Sequence, residues 1–309
     1  MDTSINESGV IVVPPKISVV LPYRDRAEFL PRTIRSLSAI RYIHIEYIFV
    51  DNASTDNSAE VVAQNVREYL PNEAVKHIQE PREGAANARN AGLEAADGDY
   101  VYFFDSDDEV TADFFDKAGK YICDNECDIL ATATRMVFPN GKTRVRKHYL
   151  TTSVRDQILT GMLATQGMMF RRKFLESIGG WRDLPMWNDW ELGVRALLAK
   201  PRVHWLRGAY HRIHQHADSL TGTSAAAVFP RQLPALRAVE ELPLSEIERR
   251  ALAARKAILA ALVSKDNSHA DDADALLKEA IAVAPKLQRL YRYTKTGLPG
   301  AWWIARKFY

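Results

Sequence analysis

The sequence predicts an α/β fold in which helices flank a mostly parallel sheet, followed by a helical C-terminal appendage. Three observations carry this prediction. Short apolar runs alternate with helical segments over residues 17–104, an alternation that is typical of parallel sheets. Polar clusters follow three of these runs, and ligands bind at such strand ends in sheets of this kind. Beyond residue 224 the apolar spacing is helical.

Seven predicted elements make up the first part of the chain. The strands are short runs rich in β-branched and aromatic residues, and the helices carry apolar residues three or four positions apart. Four strands (residues 17–21, 46–50, 75–79 and 99–104) alternate with three helices (residues 28–39, 56–69 and 84–96). We therefore expect the carboxyl ends of these strands to meet at one edge of the sheet.

The remainder of the chain is mixed and then helical. Further strands are expected at residues 128–138, 143–149 and 203–213, with a helix at residues 189–199. Ser245 and Glu248 form a capping-box pattern at the start of an apolar helix. A polar break at residues 265–270 precedes another helix, which Pro285 ends.

Composition and charge exclude several classes of protein. The 309 residues are 47% hydrophobic and 26% charged, a balance that excludes disorder for the bulk of the chain. The formal net charge of +2 argues against a dedicated nucleic-acid binder. Cys123 and Cys127 are too few and too close for a disulfide framework, which suggests a reducing compartment. We find neither a signal-peptide pattern nor an apolar run long enough to span a membrane.

The polar clusters at the strand ends are the candidate functional residues. Asp105 and Asp107 are two residues apart, and such carboxylates can converge on a hard cation and its diphosphate ligand; the alternative is a solvated acidic turn. Asp51 can accept hydrogen bonds from a nucleobase or ribose, although capping of the next helix explains the neighbouring polar residues as well. Gly84 permits a close backbone approach and Arg89 can offset diphosphate charge, unless the stretch is only an Ala-rich packing helix.

In their order and spacing these motifs resemble those of the family-2 inverting nucleotide-sugar glycosyltransferases, which have the GT-A fold. The resemblance runs from the first strand to about residue 220 and leaves the helical tail outside. The matching stretches are Pro22-Tyr23, Asp51-Asn52 with Ser54 and Asp56, Gly84 with Ala88-Arg89-Asn90 and Gly92, Asp105-Ser106-Asp107-Asp108, Gly179-Gly180-Trp181, Asn188-Asp189-Trp190-Glu191, and His216 with Ser219 and Leu220.

The resemblance implies a Rossmann-like GT-A domain at residues 16–223, after a leader at residues 1–15 and before the helical region at residues 224–309. Residues 16–110 would bind the nucleotide and residues 111–223 the acceptor. The implied nucleotide-sugar-binding residues are Pro22, Tyr23, Arg24, Asp25, Asp51, Asn52, Gly84, Arg89, Asp105 and Ser106.

The resemblance also implies a metal site and a general base. The implied ligands of Mn²⁺ or Mg²⁺ are Asp107, Asp105 and His216, with Asp107 as the direct ligand and His214 as the alternative to His216; His211 is expected to be packed. Asp189 would be the general base, with Glu191 in reserve.

Two departures from the family pattern bear on specificity. The chain has Pro22-Tyr23-Arg24-Asp25 where the family has Pro-x-Tyr-Asn, which puts the donor in question. It also has Asn188 where the family has the Glu of a Glu-Asp pair.

The implied activity is metal-dependent transfer from a UDP-linked donor to a saccharide or lipid-linked saccharide, in cell-envelope glycan synthesis. A divalent cation stabilises a leaving diphosphate, and a carboxylate removes the acceptor's proton. One alternative is a D-x-D phosphatase or nucleotidyltransferase, although phosphatases of the haloacid-dehalogenase type place this motif after the first strand. The other is a non-catalytic protein that binds nucleotide sugars or glycans.

The end of the chain combines basic and aromatic residues without acids. The basic residues are Lys286, Arg289, Arg292, Lys295, Arg306 and Lys307, and the aromatic ones are Tyr291, Tyr293, Trp302, Trp303, Phe308 and Tyr309. Such a composition is typical of a membrane-interface segment, so we expect a cytoplasmic enzyme with peripheral membrane contact through residues 286–309. The alternative is a tail that packs on the protein or on a partner. The sequence leaves the oligomeric state open.

Overall fold

The computed structural model describes residues 4–5, 11–12, 14–146, 152–216, 225–264, 269–297 and 301–308. The chain divides into two compact units. The sheet unit comprises Met1–His148, Ala164–Asp183 and Lys200–His216, and the helical unit comprises Tyr149–Leu163, Leu184–Ala199 and Ala217–Tyr309. Most of the predicted leader lies outside the described residues, as do residues 147–149 of a predicted strand and residues 265–268 of the predicted polar break.

The elements follow one another along the chain as an alternating series and then as helices alone. The strands are β1 (Ser4–Ile5), β2 (Ile11–Val12), β3 (Ile17–Tyr23), β4 (Ile45–Asp51), β5 (Ala74–Gln79), β6 (Tyr100–Phe103), β7 (Glu109–Val110), β8 (Ile129–Val137), β9 (Thr143–Arg146), β10 (Met168–Arg171) and β11 (Val203–His214). The helices are α1 (Leu30–Leu37), α2 (Ser58–Tyr69), α3 (Ala85–Glu94), α4 (Phe114–Asp124), α5 (Val154–Thr160), α6 (Arg172–Ser177), α7 (Asn188–Leu198), α8 (Ala225–Glu240), α9 (Glu246–Val263), α10 (Ala270–Val283), α11 (Leu287–Lys295) and α12 (Ala301–Phe308).

The main sheet combines a parallel half with a mixed half, in the order β5-β4-β3-β6-β10-β8-β11-β7. The strands β5, β4, β3 and β6 are parallel, whereas β10 runs antiparallel to both of its neighbours, β6 and β8. β11 is parallel to β8, and the short strand β7 pairs antiparallel with β11. The sheet therefore brings the ends of β3, β4 and β6 to one edge, as the alternating pattern predicted.

The central strands form the core of the sheet unit. All seven residues of β3 are buried, and β4 is buried up to its last residue, which is why both strands read as nearly continuous apolar runs. The sequence analysis did not predict β7, β10, α5 or α6. The Cys residues are both free: Cys127 is buried after α4 and Cys123 is partly buried near its end.

The helical unit is built around α9, which is buried from Ala251 to Ala261. The predicted capping box is confirmed: the Ser245 hydroxyl accepts from the Glu248 amide, and the Glu248 carboxylate accepts from the Ser245 amide. Helices α5 and α7 lie within residues 16–223, and their residues Ile158, Trp190 and Val194 pack in this helical core.

The basic aromatic tail contributes to this same core. Leu287 and Leu290 of α11 and Ala305 of α12 are buried in it. The burial favours the packing alternative for this face of the tail. Among the residues that the structure describes, no helix has the length and apolarity needed to cross a bilayer.

Candidate active site

The loop after β6 carries the paired aspartates, and Asp105 is held on both sides. Arg89 Nη2 lies 2.9 Å from Asp105 Oδ1, and the side-chain amide of Gln166 donates to Oδ2. The Arg89 side chain is almost fully buried, and its guanidinium carbon lies 4.6 Å from the centroid of the Trp181 ring. The ring and the carboxylate together fix this cation at the end of β6.

Helix α1 holds the backbone of the same loop. The Thr33 hydroxyl lies 2.9 Å from the carbonyl oxygens of both Ser106 and Asp108, and Arg32 Nη2 donates to the carbonyl oxygen of Asp107 at 2.5 Å. The backbone of residues 106–108 is therefore held from outside the loop. These contacts do not engage the Asp107 carboxylate, which has a different partner.

That partner is His216. Its Nε2 lies 3.1 Å from Asp107 Oδ2, and the two side chains are 18% and 23% exposed, so both are accessible to a ligand. The His216 ring stacks on Phe29, with ring centroids 4.7 Å apart. Phe29 precedes α1, so α1 and β11 bring residues distant in sequence to the aspartate loop.

The other two histidines have different partners. His214 Nε2 lies 2.5 Å from Glu109 Oε2, and the His214 amide donates to Asp108 Oδ1 at 3.0 Å. His211 is fully buried, as expected, with Nδ1 2.7 Å from the Tyr102 hydroxyl. Burial lowers the pKa of His211 to about 3, which keeps the ring neutral.

Asp108 is a buried carboxyl group that anchors the end of β11. It is 1% exposed, and burial, together with the nearby Asp107 and Asp105 carboxylates, raises its pKa well above the ordinary range. The strand β7, which follows Asp108, pairs with β11, so Asp108 and Glu109 both lie beside His214. Their contacts with His214 also hold the chain that continues to His216.

The residues around Asp107 fit a divalent cation. A carboxylate oxygen is a ligand that both Mn²⁺ and Mg²⁺ prefer, and an imidazole nitrogen is a common ligand of transition metals. Mg²⁺ is usually bound by one or two carboxylates with water and substrate phosphates. Within the described ranges, no group of three or more His, Cys, Asp or Glu side chains is arranged to hold a metal ion. The protein thus offers a partial ligand set, which phosphate oxygens and water would complete.

The loops after β3 and β4 are tied to each other. Asp25, at a left-handed φ of +49°, accepts hydrogen bonds from the amides of Thr55 at 2.7 Å and Asp56 at 3.2 Å. The Thr55 amide in particular lowers the pKa of Asp25. Asp51 accepts from the Ser54 amide at 2.9 Å, a contact inside the loop, and Asn57, the residue that precedes α2, makes no side-chain capping bond.

The first of these loops begins with Arg24, directly after Pro22 and Tyr23. Pro22 and Tyr23 are the buried end of β3, and Tyr23 pairs with Asp51 across the sheet. Burial, aided by the Asp51 carboxylate, raises the pKa of Tyr23. Arg24 Nη1 lies 2.7 Å from Glu83 Oε2, which links this loop to the one after β5.

Asn52 and Gly84 shape the loop after β5. The Asn52 side chain donates to the carbonyl oxygens of Glu80 and Arg82 and accepts from the Gly84 amide at 2.9 Å. Gly84 has a φ of +121°, and a Cβ there would lie 3.2 Å from Asp183 Oδ1. The Asn52 amide group is thus engaged with backbone, which indicates that it shapes this loop.

The two candidate bases lie at the start of α7 in the helical unit. Asp189 is partly exposed, and its Oδ1 accepts from the Trp190 amide at 2.8 Å. Glu191 is fully buried, and each of its oxygens accepts a 2.9 Å hydrogen bond from Arg195. Since a general base needs an oxygen that can reach the reacting proton, these surroundings favour Asp189.

Sequence reasoning missed several residues that organise the site. Arg32, Thr33 and Phe29 carried no local signal, because their importance comes from contacts with residues more than seventy positions away. Gln166 was missed because its partner, Asp105, lies 61 positions away. The pairing of His214 with Glu109 depends on the short strand β7, which composition alone did not reveal.

The sheet order and the acidic loop after β6 define an α/β protein of the GT-A glycosyltransferase class. Residues 18–179, more than half of the chain, match the family model described as Glycosyl transferase family 2. The chain belongs to this family. The expected fold and enzyme class are therefore confirmed.

Relatives and solved structures agree with this assignment. An uncharacterised glycosyltransferase of Nostoc sp. is 28% identical over 225 residues, or 69% of each chain. The putative teichuronic acid biosynthesis glycosyltransferase TuaG of Bacillus subtilis is 31% identical over 129 residues, which are 41% of this chain and 50% of that one. The match thus spans only half the length of TuaG.

Two solved structures share the fold. That of S. aureus TarS in complex with UDP-GlcNAc has a TM-score of 0.70 at 19% identity, covering 94% of this chain and 90% of that one. The mannosyltransferase PcManGT of Pyrobaculum calidifontis, in complex with GDP-Man and Mn²⁺, has a TM-score of 0.62 at 21% identity, covering 95% and 88%.

Proposed function

We propose that this glycosyltransferase moves a sugar, with inversion, from a UDP-linked donor to a saccharide or lipid-linked saccharide in cell-envelope glycan synthesis. The observation that carries the proposal is the accessible Asp107–His216 pair, 3.1 Å apart, beside the Asp105–Arg89 ion pair. The donor class is supported by TarS, crystallised with UDP-GlcNAc. The pathway is supported by TuaG, which is named for teichuronic acid biosynthesis.

The donor would be held at the carboxyl ends of the parallel strands. Asp51 accepts hydrogen bonds from the uracil, and Arg89 offsets the charge of the diphosphate. The remaining proposed donor-binding residues belong to the strand ends and loops at this edge: Pro22, Tyr23, Arg24, Asp25, Asn52, Gly84, Asp105 and Ser106.

Asp107 and His216, with Asp105 beside them, would hold Mn²⁺ or Mg²⁺. The ion, when bound, neutralises the negative charge that grows on the departing diphosphate. The contribution of the chain is to keep Asp107 and His216 together, which the Phe29 ring and the anchored end of β11 do.

Asp189 is the proposed general base, and Glu191 is the alternative. Asp189 takes the proton from the acceptor hydroxyl while that oxygen forms a bond to the anomeric carbon. The bond from the anomeric carbon to the diphosphate oxygen breaks at the same time, and the diphosphate leaves with the electron pair. A single direct displacement inverts the anomeric centre and needs no covalent intermediate.

A donor panel with Mn²⁺ tests this proposal. Ligand binding stabilises a fold, by about 2.7 kcal/mol when the ligand is at 100 times its Kd. The donor should bind most tightly, so we expect one UDP-sugar to raise the melting temperature most. The shift should shrink in Asp107→Asn, and transfer to glycan acceptors should follow the same donor. A GDP-sugar that gives the largest shift, or full transfer in excess chelator, would refute the UDP or the metal assignment.

The same assay separates the alternatives. A phosphatase or nucleotidyltransferase would release phosphate or pyrophosphate from its substrate without transferring sugar. A binding protein would show the thermal shift with no turnover, so Asp189→Asn and the wild type would be equally inactive.

For the base itself, we expect Asp189→Asn to lower kcat about 10²-fold or more with donor binding retained.

We further propose a cytoplasmic location with peripheral contact at the membrane. Lys286, Arg289, Arg292 and Lys295 are exposed, while Leu287 and Leu290 between them are buried. The tail thus presents a basic outer face even though its inner face belongs to the core. Such a face attracts anionic lipid head groups.

A further inference from the structure

Arg255 of α9 is a buried cation enclosed by two tryptophans. It is 7% exposed. Its guanidinium carbon lies 4.2 Å from the ring centroid of Trp187 and 4.4 Å from that of Trp190. Its Nη1 donates to the carbonyl oxygens of Ile158 at 2.9 Å and Leu159 at 3.3 Å, in the last turn of α5. One side chain therefore connects α9 to both α5 and α7.

The two tryptophans flank the proposed base, Asp189. Trp187, immediately before α7, has a left-handed φ of +60°, which is unusual for a bulky residue and must be held by its surroundings. Trp190 is 3% exposed, and its indole N–H lies 3.1 Å from the carbonyl oxygens of Gln157 and Ile158. Its amide donates to Asp189 Oδ1 at 2.8 Å. The turn that carries Asp189 is thus fixed at both ends by aromatic rings that contact Arg255.

We infer that Arg255 is a positioning residue for Asp189, acting through Trp187 and Trp190. The inference rests on the proposed role of Asp189 as the base. An arginine suits this position because its planar group stacks on aromatic faces while its N–H groups reach carbonyl oxygens, which a lysine cannot do in the same way. Since α9 lies outside residues 18–179, which match the family model, the helical region would contribute to catalysis and not only to stability.

The test compares Arg255 with its neighbour Lys256. Lys256 is also a buried cation of α9, 3% exposed, but its Nζ lies 2.7 Å from Glu279 of α10 and also binds Glu240 of α8. Lys256→Met should therefore disturb the helical core without acting on the turn 187–190. Arg255→Met, Arg255→Lys and Lys256→Met are compared by steady-state sugar transfer, well below the melting temperature of each variant.

We expect Arg255→Met to lose about 10- to 100-fold in kcat, because a small displacement of a catalytic group costs this much. The KM for the donor should stay within about 2-fold, since the loss falls on the chemical step. Arg255→Lys should be intermediate, and Lys256→Met should keep kcat. Hydrogen–deuterium exchange of peptides covering residues 185–192 should accelerate in Arg255→Met and not in Lys256→Met. Equal kcat in Arg255→Met and Lys256→Met, or unchanged exchange, would overturn the inference.

A second pair of variants covers failure of Arg255→Met to fold. Trp187 is only partly buried, so Trp187→Leu removes one stacking face with less disturbance, and Trp187→Phe retains an aromatic one. The Leu variant should lose kcat and the Phe variant should recover most of it; equal kcat would contradict the inference. Asp189→Asn runs in parallel. If Asp189→Asn is fully active, the role of the base is wrong and the inference falls with it; if it is inactive while the Arg255 and Trp187 variants are normal, only the inference is wrong.

Discussion

Two histidines near the end of β11 could not be distinguished from the sequence, but they differ in their contacts. Positions 214 and 216 share a face of an extended chain, so either could complete the metal site. The structure pairs His214 with Glu109 and places His216 Nε2 3.1 Å from Asp107. The surroundings therefore favour His216 as the ligand, and the two residues form a matched pair for substitution.

We predict that His216→Gln weakens Mn²⁺ binding more than His214→Gln does. Loss of an outer-shell partner typically lowers metal affinity about 10- to 100-fold. Loss of a direct ligand should therefore lower the Mn²⁺ affinity by at least about 10-fold. Free Mn²⁺, measured by electron paramagnetic resonance in the presence of UDP, gives the affinity of each variant. A larger loss in His214→Gln than in His216→Gln would assign the ligand to His214 instead.

At the scale of elements, α3 packs so closely on β3 that only glycine fits at one point. A Cβ at Gly92 would lie 2.2 Å from Val20 Cγ1, far inside the contact distance of two carbon atoms. The glycine in this stretch therefore serves helix–sheet packing. Arg89, on the same helix, depends on that packing for its position beside Asp105.

We predict that Gly92→Ala lowers the free energy of unfolding by about 1–3 kcal/mol, the usual cost of overpacking a core. Urea denaturation measures the loss. Val20→Ala removes the methyl groups that clash, so the double variant Val20→Ala/Gly92→Ala should be more stable than the sum of the single effects predicts. Strictly additive effects would show that the close approach is not the cause.

The first residues of β3 and β4 are joined by a buried carboxylate, Glu46. It accepts from the Ser18 hydroxyl at 2.6 Å and from the Asp97 amide at 2.7 Å, and Lys16 Nζ and Lys76 Nζ lie 3.0 and 3.2 Å away. Burial raises the pKa of Glu46, but the hydrogen bonds from Ser18, Asp97 and the two lysines outweigh it and lower the pKa to about 2. The ionised form is therefore favoured by folding.

We predict that this group makes the protein less stable in acid. A carboxyl group whose pKa is lowered on folding contributes stability above its unfolded pKa, and the contribution is lost as the pH falls toward the folded value. The window runs from the ordinary value of 4.5 down to about 2. The advantage of the wild type over Glu46→Gln in urea unfolding should be constant above pH 5 and should shrink below it, by at most about 3 kcal/mol. An advantage that does not change with pH would contradict the assignment.

At the scale of the whole molecule, the structural features that depend on local sequence pattern could be predicted. The alternating strands and helices, the aspartates after β6 and the Ser245 capping box are local signals, and each is found in the structure. The contacts of Thr33 with Ser106 and of Phe29 with His216 join distant segments, so no local pattern revealed them. The tail was read from its composition, although the spacing of Leu287 and Leu290 already indicated a buried helix face.

The tail gives the last prediction. Truncation at Ala284 would expose the core residues that Leu287 and Leu290 cover, so we expect it to destabilise the protein and to be a poor test of membrane binding. Charge reversal of the exposed face is better: Arg289→Glu/Arg292→Glu leaves both leucines in place. The matched control is Lys120→Glu/Lys173→Glu, which changes the net charge equally at two exposed lysines of the sheet unit.

A basic residue near an anionic membrane contributes about 1 kcal/mol, so reversing two should weaken partitioning by at least about 10-fold. Co-sedimentation with vesicles that contain phosphatidylserine measures this, and pure phosphatidylcholine vesicles show how much binding needs lipid charge. We expect the wild type and the lysine control to sediment with the anionic vesicles and the arginine variant to stay in solution. If the wild type also stays in solution, or if all three proteins sediment equally, α11 makes no membrane contact of this kind and its role is to complete the helical core.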